Sequence, residues 1–342
     1  MDSLTQITLG AAVGEALLGH RVGKKAPLWG AAFGTLPDLD VLANPFVTEM
    51  QALALHRGFS HSLLFIVLAT PLLGRALYRL HGSASWRAWG ALVGMTLGTH
   101  VLLDCMTAYG TQVFYPFSNY PVIFGTIFII DPLYTVPLAG GLLVACWFRR
   151  DNRRRRWANY IGLGLSTAYL LLTVGNKLYA TATFEDALKA QDIAYERLFT
   201  KPMPFNTVYW TAIAEDSTGF WIGYHSLLGD PGQIDFRWIP KRHYLLGAAR
   251  DSEAVERLRW FSRGYFTVSR SGRTLFVHDL RFGRNDLGLT EDGRYLFTFR
   301  LSRSSAGQVT GFSQVTPPFE FSTSLLRRYW ARLSGQAALN RP

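Results

Sequence analysis

Cysteine is scarce in this sequence, and its scarcity excludes a fold held together by disulfides. The 342-residue chain contains two cysteines, Cys105 and Cys146, and both lie in apolar runs. Disulfide-based scaffolds need several paired cysteines. We therefore expect both thiols to behave as small buried hydrophobic groups.

The features of a cleavable signal peptide are also missing. The first apolar run, Leu4 to Leu18, has no basic residue before it and no small-residue cleavage site after it. Arg21, Lys24 and Lys25 follow the run instead. This arrangement predicts a retained helix rather than a processed leader. Internal repeats and low-complexity tracts are absent as well.

Charged residues form only 17% of the chain, and acidic residues (24) are fewer than basic ones (35). The net charge of +11 does not indicate a nucleic-acid partner, because six arginines form one short cluster between two apolar runs, Arg149, Arg150 and Arg153 to Arg156. Such a cluster is a topology signal. A hydrophobic content of 49% and a mean hydropathy of +0.09 predict a membrane part joined to a soluble part.

The membrane part is predicted to be an α-helical polytopic domain spanning residues 1–180. It contains six apolar segments: Leu4 to Leu18, Leu28 to Ala43, Leu63 to Leu80, Ala88 to Met106, Val122 to Phe148 and Trp157 to Tyr179. Several are shorter than the roughly 20 residues that a full crossing needs. We therefore expect about six helices, some of them short, tilted or re-entrant.

The basic residues predict the orientation of these segments. If the arginine cluster is cytoplasmic, six alternating crossings place the other basic loops on the same side. Asp38, Asp40, His56, His61, His100 and Asp104 then share the opposite, outer side. The C-terminal part of the chain is predicted to be extracytoplasmic.

Residues 181–342 are predicted to form a small soluble α+β or β-rich domain. Thr183 to Phe199 has the pattern of an amphipathic helix. Six strand-like runs separated by turn signals follow: Thr207 to Ala214, Phe220 to Tyr224, Phe236 to Ile239, Tyr265 to Ser269, Thr274 to Asp279 and Tyr295 to Leu301.

Three polar fragments at the ends of apolar segments carry the chemistry. They are Pro37-Asp38-Leu39-Asp40, His56-Arg57-Gly58-Phe59-Ser60-His61-Ser62 and His100-Val101-Leu102-Leu103-Asp104. His100 and Asp104 stand four residues apart, so they share one helix face. Imidazole and carboxylate groups together suit zinc, manganese or iron. We expect Asp38, Asp40, His56, His61, His100 and Asp104 to hold one or two such ions, with zinc preferred.

The remaining candidate residues have more than one interpretation. Arg57 has the planar fork that binds phosphate, and Ser60 or Ser62 would orient that phosphate. Asp131 is a further ligand, a carboxylate supporting a ligand, or a kink residue. Gln6 lies where it can hydrogen-bond a ligand, whereas Glu15 is expected to pack or to form a salt link.

Each fragment also has a simpler interpretation. His-x-x-x-Asp on a helix is commonly a hydrogen-bonded pair, and Asp-x-Asp after proline is commonly a turn or cap. The His56–Ser62 loop would serve equally as an interfacial loop that holds lipid headgroups. However, ionisable groups near hydrocarbon are costly, so three sets on one side favour a shared site.

The three fragments, together with Met1-Asp2-Ser3-Leu4-Thr5-Gln6 and Tyr109-Gly110-Thr111, resemble the YdjM-like family of inner-membrane proteins named as metal-dependent hydrolases. The resemblance covers roughly residues 1–180. Many relatives carry Thr-His where this chain has Thr5-Gln6. The resemblance implies a bacterial inner-membrane location and a link to zinc-dependent phospholipase C-like proteins.

Two classes of function follow. The first is a membrane-bound hydrolase that cleaves a phosphoester, or less readily an amide or acyl ester, of a lipid or lipid-linked substrate at the outer leaflet. Its catalytic residues would be Asp38, Asp40, Arg57, Ser60 and Asp131. The alternative is a non-enzymatic membrane protein with a structural metal and an outer domain that binds a partner.

Overall fold

The computed structural model describes residues 1–289, 293–304, 308–318 and 322–336. They form two compact units. The first unit comprises Met1–Phe46, Ala54–Val174 and Pro204–Asn206, and the second comprises Val47–Leu53, Gly175–Met203 and the chain from Thr207 onward. The division of the chain at residue 180 stays a prediction.

The first part of the chain is helical. Its helices are α1 (Ser3–Val22), α2 (Lys25–Thr35), α3 (Glu49–Leu55), α4 (Leu63–His81), α5 (Trp86–Cys105), α6 (Pro132–Trp147) and α7 (Arg153–Ala190). Two 3₁₀ segments, Leu36–Phe46 and Phe59–His61, interrupt them. Asp2, Ser62 and Ser85 begin α1, α4 and α5, because each side chain accepts a backbone N–H of the first turn.

Glycines bring α1 and α2 into close contact. A Cβ on Gly30 would lie 2.1 Å from the Gly10 carbonyl oxygen, and a Cβ on Gly34 would lie 2.5 Å from the Gln6 carbonyl oxygen. Only glycine allows the two backbones to approach so closely. The close approach sets the end of α2, and therefore the start of the Leu36–Phe46 segment, beside the first turns of α1.

Within the described residues, two helices are long and apolar enough to cross a membrane, Leu63–His81 and Arg153–Ala190, and the apolar helix Pro132–Trp147 is shorter. The predicted first and fourth segments are helical in α1 and α5, but many of their side chains are buried inside the protein. Within the predicted fifth segment the helix starts at Pro132 rather than at Val122, because Asp131 caps it. The arrangement with six crossings stays a prediction.

The described residues of the second part of the chain form two four-stranded antiparallel sheets, each in sequence order. The first sheet consists of β1 (Arg197–Pro202), β2 (Tyr209–Glu215), β3 (Gly219–Ser226) and β4 (Phe236–Pro240). The second consists of β5 (Phe266–Ser271), β6 (Thr274–Arg284), β7 (Tyr295–Arg303) and β8 (Val309–Val315). Two further helices are α8 (Glu253–Phe261) and α9 (Thr323–Leu333). The predicted β-rich fold is confirmed.

All six predicted strand-like runs overlap strands, but β1 and β8 were not predicted. The helix predicted over Thr183 to Phe199 is partly wrong, because α7 ends at Ala190 and β1 begins at Arg197. Arg197 pairs with Glu215 across β1 and β2, and its Nε lies 2.7 Å from the Glu215 carboxylate. This pairing across the sheet overrides the local helical pattern.

Candidate metal centre

Four side chains from the three polar fragments converge in the first unit. Asp38 comes from the 3₁₀ segment Leu36–Phe46, His61 from the 3₁₀ turn Phe59–His61, and His100 and Asp104 from α5. One donor atom of each lies within 4.8 Å of the others. Of the six predicted ligands, Asp40 and His56 do not belong to this group. Among the described residues it is the one group of this kind.

The donor atoms have the spacing of a four-coordinate ion. His61 Nε2 lies 3.2 Å from His100 Nε2, 3.4 Å from Asp38 Oδ1 and 3.3 Å from Asp104 Oδ2. His100 Nε2 lies 3.6 Å from each of the two carboxylates. A tetrahedral zinc site with bonds of about 2.0–2.1 Å has ligand separations of about 3.3–3.4 Å. The donor set therefore fits a divalent metal ion in composition, and the five measured separations are close to those of a four-coordinate zinc site.

Both imidazoles are held so that Nε2 faces the centre. His100 Nδ1 lies 2.7 Å from the Gly34 carbonyl oxygen, which can only accept, so Nδ1 carries the proton. His61 Nδ1 lies 3.0 Å from Ser60 Oγ and 3.7 Å from Asp40 Oδ2. Such partners orient a metal-binding histidine and fix its tautomer.

The pocket favours positive charge. Burial alone would lower the pKa of His61, but the carboxylates of Asp104 and Asp38 raise that pKa above its ordinary value. His61 and Asp104 have fully buried side chains, whereas Asp38 is 20% exposed. The centre is thus closed around Asp104 and opens on the side of Asp38.

Several groups converge on Asp104. Its Oδ1 accepts hydrogen bonds from the Met1 amino group and from Gln6 Nε2, the latter at 2.9 Å. Its Oδ2 lies 3.1 Å from Arg57 Nε. Between Met1 and Gln6, Asp2 caps the first turn of α1 by accepting the Thr5 N–H. These contacts hold the carboxylate in one orientation.

Arg57 is buried beside the centre. Its Nη1 donates to Thr107 Oγ1 at 3.2 Å, and its guanidinium lies 4.8 Å from the ring centre of Tyr109. Its backbone φ of +55° turns the loop at this point. The Arg57 side chain is directed at Asp104, and its role as a phosphate ligand stays a prediction. Thr107 was not predicted from the sequence as part of the site, although it lies three residues after Asp104.

Asp40 and His56 form a separate pair. His56 Nδ1 lies 3.0 Å from Asp40 Oδ1. Asp40 Oδ2 accepts the backbone N–H of Arg57 at 2.8 Å and lies 3.4 Å from Ser60 Oγ. Asp40 therefore organises the loop that carries His61 and orients His56, while the candidate donor atoms belong to other residues.

Asp131 and Glu15 lie outside the donor group. Asp131 caps α6 by accepting the Leu133 N–H at 3.0 Å and also accepts the Tyr169 hydroxyl at 2.9 Å. Its contacts fit a structural role better than that of a ligand. Glu15 forms the predicted salt link, because its two carboxylate oxygens lie 2.6 and 2.7 Å from Nε and Nη2 of Arg155.

Apolar side chains are exposed on the segments that carry the site. Phe46 is 87% exposed at the end of the Leu36–Phe46 segment, and Phe117 is 86% exposed in the chain that follows α5. This chain is tied to the His56–Ser62 loop, because Gln112 N donates to the Arg57 carbonyl and Leu63 N donates to the Val113 carbonyl. Leu42 and Phe59 are exposed as well.

The first part of the chain is similar to known inner membrane proteins. The profile of the YdjM inner membrane protein family matches residues 1–181. The chain is 32% identical over 146 residues to "Inner membrane protein YbcI" of Escherichia coli, covering 35% of this chain and 82% of YbcI. It is 27% identical over 155 residues to "Uncharacterized protein YfhP" of Bacillus subtilis, covering 43% of this chain and about half (46%) of YfhP. No solved structure matches. The resemblance seen in the sequence is confirmed, and the chain belongs to the YdjM inner membrane protein family.

Proposed function

We propose that this protein is a membrane-bound hydrolase that holds one zinc ion on Asp38, His61, His100 and Asp104 and cleaves a phosphoester of a lipid or lipid-linked substrate. The spacing of the four donor atoms, 3.2 to 3.6 Å for the five measured pairs, carries the proposal. When bound, zinc lowers the pKa of water and polarises a phosphoryl oxygen.

The residues around the centre have separate roles in this proposal. Asp38 is the most exposed of the four donors, so substrate approaches on its side. His56 stands on the loop beside it, and Asp40 holds its Nδ1, which leaves Nε2 for proton transfer. Arg57 fixes Asp104 and lies close enough to the centre to meet a phosphate bound there.

The exposed apolar residues support a lipid as the substrate. Leu42 and Phe46 lie on the segment that carries Asp38 and Asp40, and Phe59 lies two residues before His61. Acyl chains would contact these side chains while the polar headgroup reaches the centre. Aromatic side chains are also common where a protein meets the membrane–water interface. We further propose that this site and residues 181–342 lie on the outer side of a bacterial inner membrane.

The number of protein donors, four, favours a structural metal site as the alternative function. Four protein ligands without an open position are typical of structural zinc sites, whereas catalytic sites commonly have three. On this alternative the metal holds the three fragments together, and the β-rich part of the chain binds a partner.

Metal analysis and a substrate panel separate the two functions. The full chain is purified in detergent, its zinc is quantified by mass spectrometry, and turnover is measured on lipids with phosphoester, amide and acyl ester bonds. We expect one zinc per chain and phosphoester turnover that chelation abolishes and zinc restores. One zinc per chain without turnover of any lipid would support the structural role and contradict the hydrolase.

A further inference from the structure

Helix α9 packs one side against the first sheet and exposes apolar side chains on another. Leu325 and Tyr329 are buried, and the Tyr329 ring lies 5.7 Å from the ring of Tyr209 on β2. Leu326 is 48% exposed and Trp330 is 69% exposed. Because residues four apart share one helix face, the two pairs form neighbouring ridges. One ridge holds the helix on the sheet, and the other is exposed.

The exposed side of α9 is positively charged as well as apolar. Arg327 and Arg328 are both exposed, and α9 contains no acidic residue. Arg327 stands three positions before Trp330, so the two side chains are neighbours on the helix surface. Arg328 also lines a cavity together with Asp286. The charge beside the exposed ridge therefore comes first from Arg327. Leucine and tryptophan beside arginine are typical of helices that lie in a membrane interface.

A loop residue adds to the apolar surface. Leu228, in the loop after β3, is exposed. It lies at the end of α9, because a Cβ on Gly335 would be 2.6 Å from the Leu228 carbonyl oxygen. Ser226 Oγ of the same loop donates to the Leu333 carbonyl at 2.6 Å. The end of α9 and this loop are therefore fixed to each other, and both expose large apolar side chains.

Contacts within the second unit place α9 near the end of the apolar part of α7. This helix is long and apolar enough to cross a membrane, and its last exposed large apolar residue is Tyr179. Asn176 Nδ2, nearby on α7, donates to the Thr207 carbonyl at 2.9 Å. Tyr209, two residues after Thr207, makes the contact with Tyr329. An α7 that crosses a bilayer therefore holds α9 close to the bilayer surface.

We propose that α9 docks on the surface of an anionic lipid bilayer. Leu326 and Trp330 enter the interface, and Arg327 contacts lipid phosphate groups. The positive charge of α9 is complementary to anionic headgroups, and the exposed ridge supplies the apolar area that interfacial helices bury. This docking holds the β-rich part of the chain on the membrane. It is independent of the metal centre and of any hydrolase activity.

A fluorescent probe on α9 tests the docking in the full chain. Thr323→Cys is made together with Cys146→Ser, because Cys105 is buried whereas Cys146 is exposed. Thr323 is exposed three residues before Leu326, so the proposed lipid contacts stay intact. The labelled protein is placed in nanodiscs with equal parts of phosphatidylglycerol and phosphatidylcholine. Quenching of the probe by lipids brominated on their acyl chains is then measured.

The control probe stands at the other end of the first sheet. Ser217→Cys places it in the turn after β2, whereas Tyr209 begins β2. The length of this strand separates the turn from α9, on the order of 20 Å. Because interfacial helices lie within the headgroup and acyl boundary, quenching should be at least about threefold stronger with Thr323→Cys than with Ser217→Cys. Equal quenching of the two probes would overturn the proposal.

Substitutions on α9 distinguish docking from mere proximity to the bilayer. Leu326→Ser combined with Trp330→Ser should remove most of the quenching, and Tyr244→Ser is the control, because Tyr244 is an exposed aromatic residue elsewhere in the second unit. Arg327→Gln should lower the ratio of docked to undocked helix about fivefold. Arg327→Lys keeps the charge and should keep the docking. Unchanged quenching in the double variant, or equal loss in the control, would contradict the proposal.

Lipid composition and the number of chains per disc identify what covers the helix. Quenching should be weaker in discs of phosphatidylcholine alone, and added salt should weaken it in the anionic discs because salt screens charges. Quenching that responds to neither change would refute the charge complementarity on which the proposal rests. A probe that brominated lipid does not reach, and whose emission shifts only in discs with two chains, would identify a second copy as the occupant and overturn the proposal.

Discussion

His61 Nε2 and His100 Nε2 lie 3.2 Å apart, although the two residues are 39 positions apart in the chain. Each ring has its Nδ1 occupied by another partner, Ser60 Oγ for His61 and the Gly34 carbonyl for His100. Two nitrogen lone pairs at this distance repel one another unless a proton or a cation lies between them. Two carboxylates complete the group, so a cation is the natural occupant.

The first prediction is that zinc stabilises the protein. An ion that binds only the folded state at about one hundred times its Kd adds about 2.7 kcal/mol to the free energy of unfolding. The melting temperature of the chelated protein in detergent should rise on adding zinc, measured by tryptophan fluorescence. Magnesium is the control, because it prefers oxygen ligands. Equal stabilisation by magnesium would argue against the nitrogen-containing site.

The second prediction separates two ligands by their burial. His100→Ala should lose zinc while the protein stays folded. Asp104→Asn should lose zinc and also destabilise the protein by about 3–5 kcal/mol, because it leaves Arg57 buried without its partner. Zinc content and urea unfolding are the measurements, and Asp131→Asn is the control that should keep its zinc. Full zinc in His100→Ala would leave the His100–Asp104 pair as a purely structural contact.

The third prediction concerns the contact between α1 and α2. Gly30→Ala places a Cβ 2.1 Å from the Gly10 carbonyl oxygen, and the shift that follows should cost about 1–3 kcal/mol. Because α2 also carries the Gly34 carbonyl that orients His100, zinc affinity should fall as well. Gly98→Ala in α5 meets no atom within 4 Å and should be neutral or stabilising. Similar losses in both variants would contradict the packing argument.

The fourth prediction concerns pH and the β-rich part of the chain. The pKa of His278 is about 4 in the folded protein, below the ordinary 6.5. Between these values the unfolded chain binds the proton more readily, so the free energy of unfolding falls as the pH drops from 6.5 towards 4. The loss should be on the order of 3 kcal/mol. Urea unfolding at several pH values measures it.

His278→Asn is the control variant for this pH effect. This substitution should reduce the pH dependence of the free energy of unfolding. The dependence that remains comes from His225 and His243, because burial lowers their pKa values as well. An unchanged slope in His278→Asn would place the titrating group elsewhere.

The fifth prediction concerns topology. A reporter fused after Asp151, beside the arginine cluster, should report the cytoplasm, whereas a reporter fused after Gly219 should report the outside. Alkaline phosphatase and green fluorescent protein fusions provide the two readouts. The same compartment for both positions would remove the argument that the site faces outward.

Features that depend on neighbouring residues in the chain could be predicted from the sequence. His100 and Asp104 share a helix face because four residues make about one helical turn, whatever the rest of the protein does. Alternating apolar residues likewise predicted β2 to β7 within a few residues. The family was recognisable because its motifs are short stretches of contiguous residues.

The site itself depends on contacts that no local pattern contains. Asp40 and Asp38 are two residues apart, yet Asp38 faces His61 and His100 while Asp40 binds the Arg57 N–H and His56. The direction of each side chain is set by where the His56–Ser62 loop lies.

Sequence by itself therefore determined which residue types stand at the ends of the apolar segments, because composition and helical spacing are properties of the chain. Tertiary structure decided which four side chains meet. The close approach of α1 and α2 at Gly30 places Gly34 beside His100, and the Gln112 N–H holds the Arg57 carbonyl. The Gly34–His100 contact and the Arg57–Gln112 contact each join residues more than fifty positions apart, so their geometry follows from packing of the whole unit rather than from any stretch of sequence.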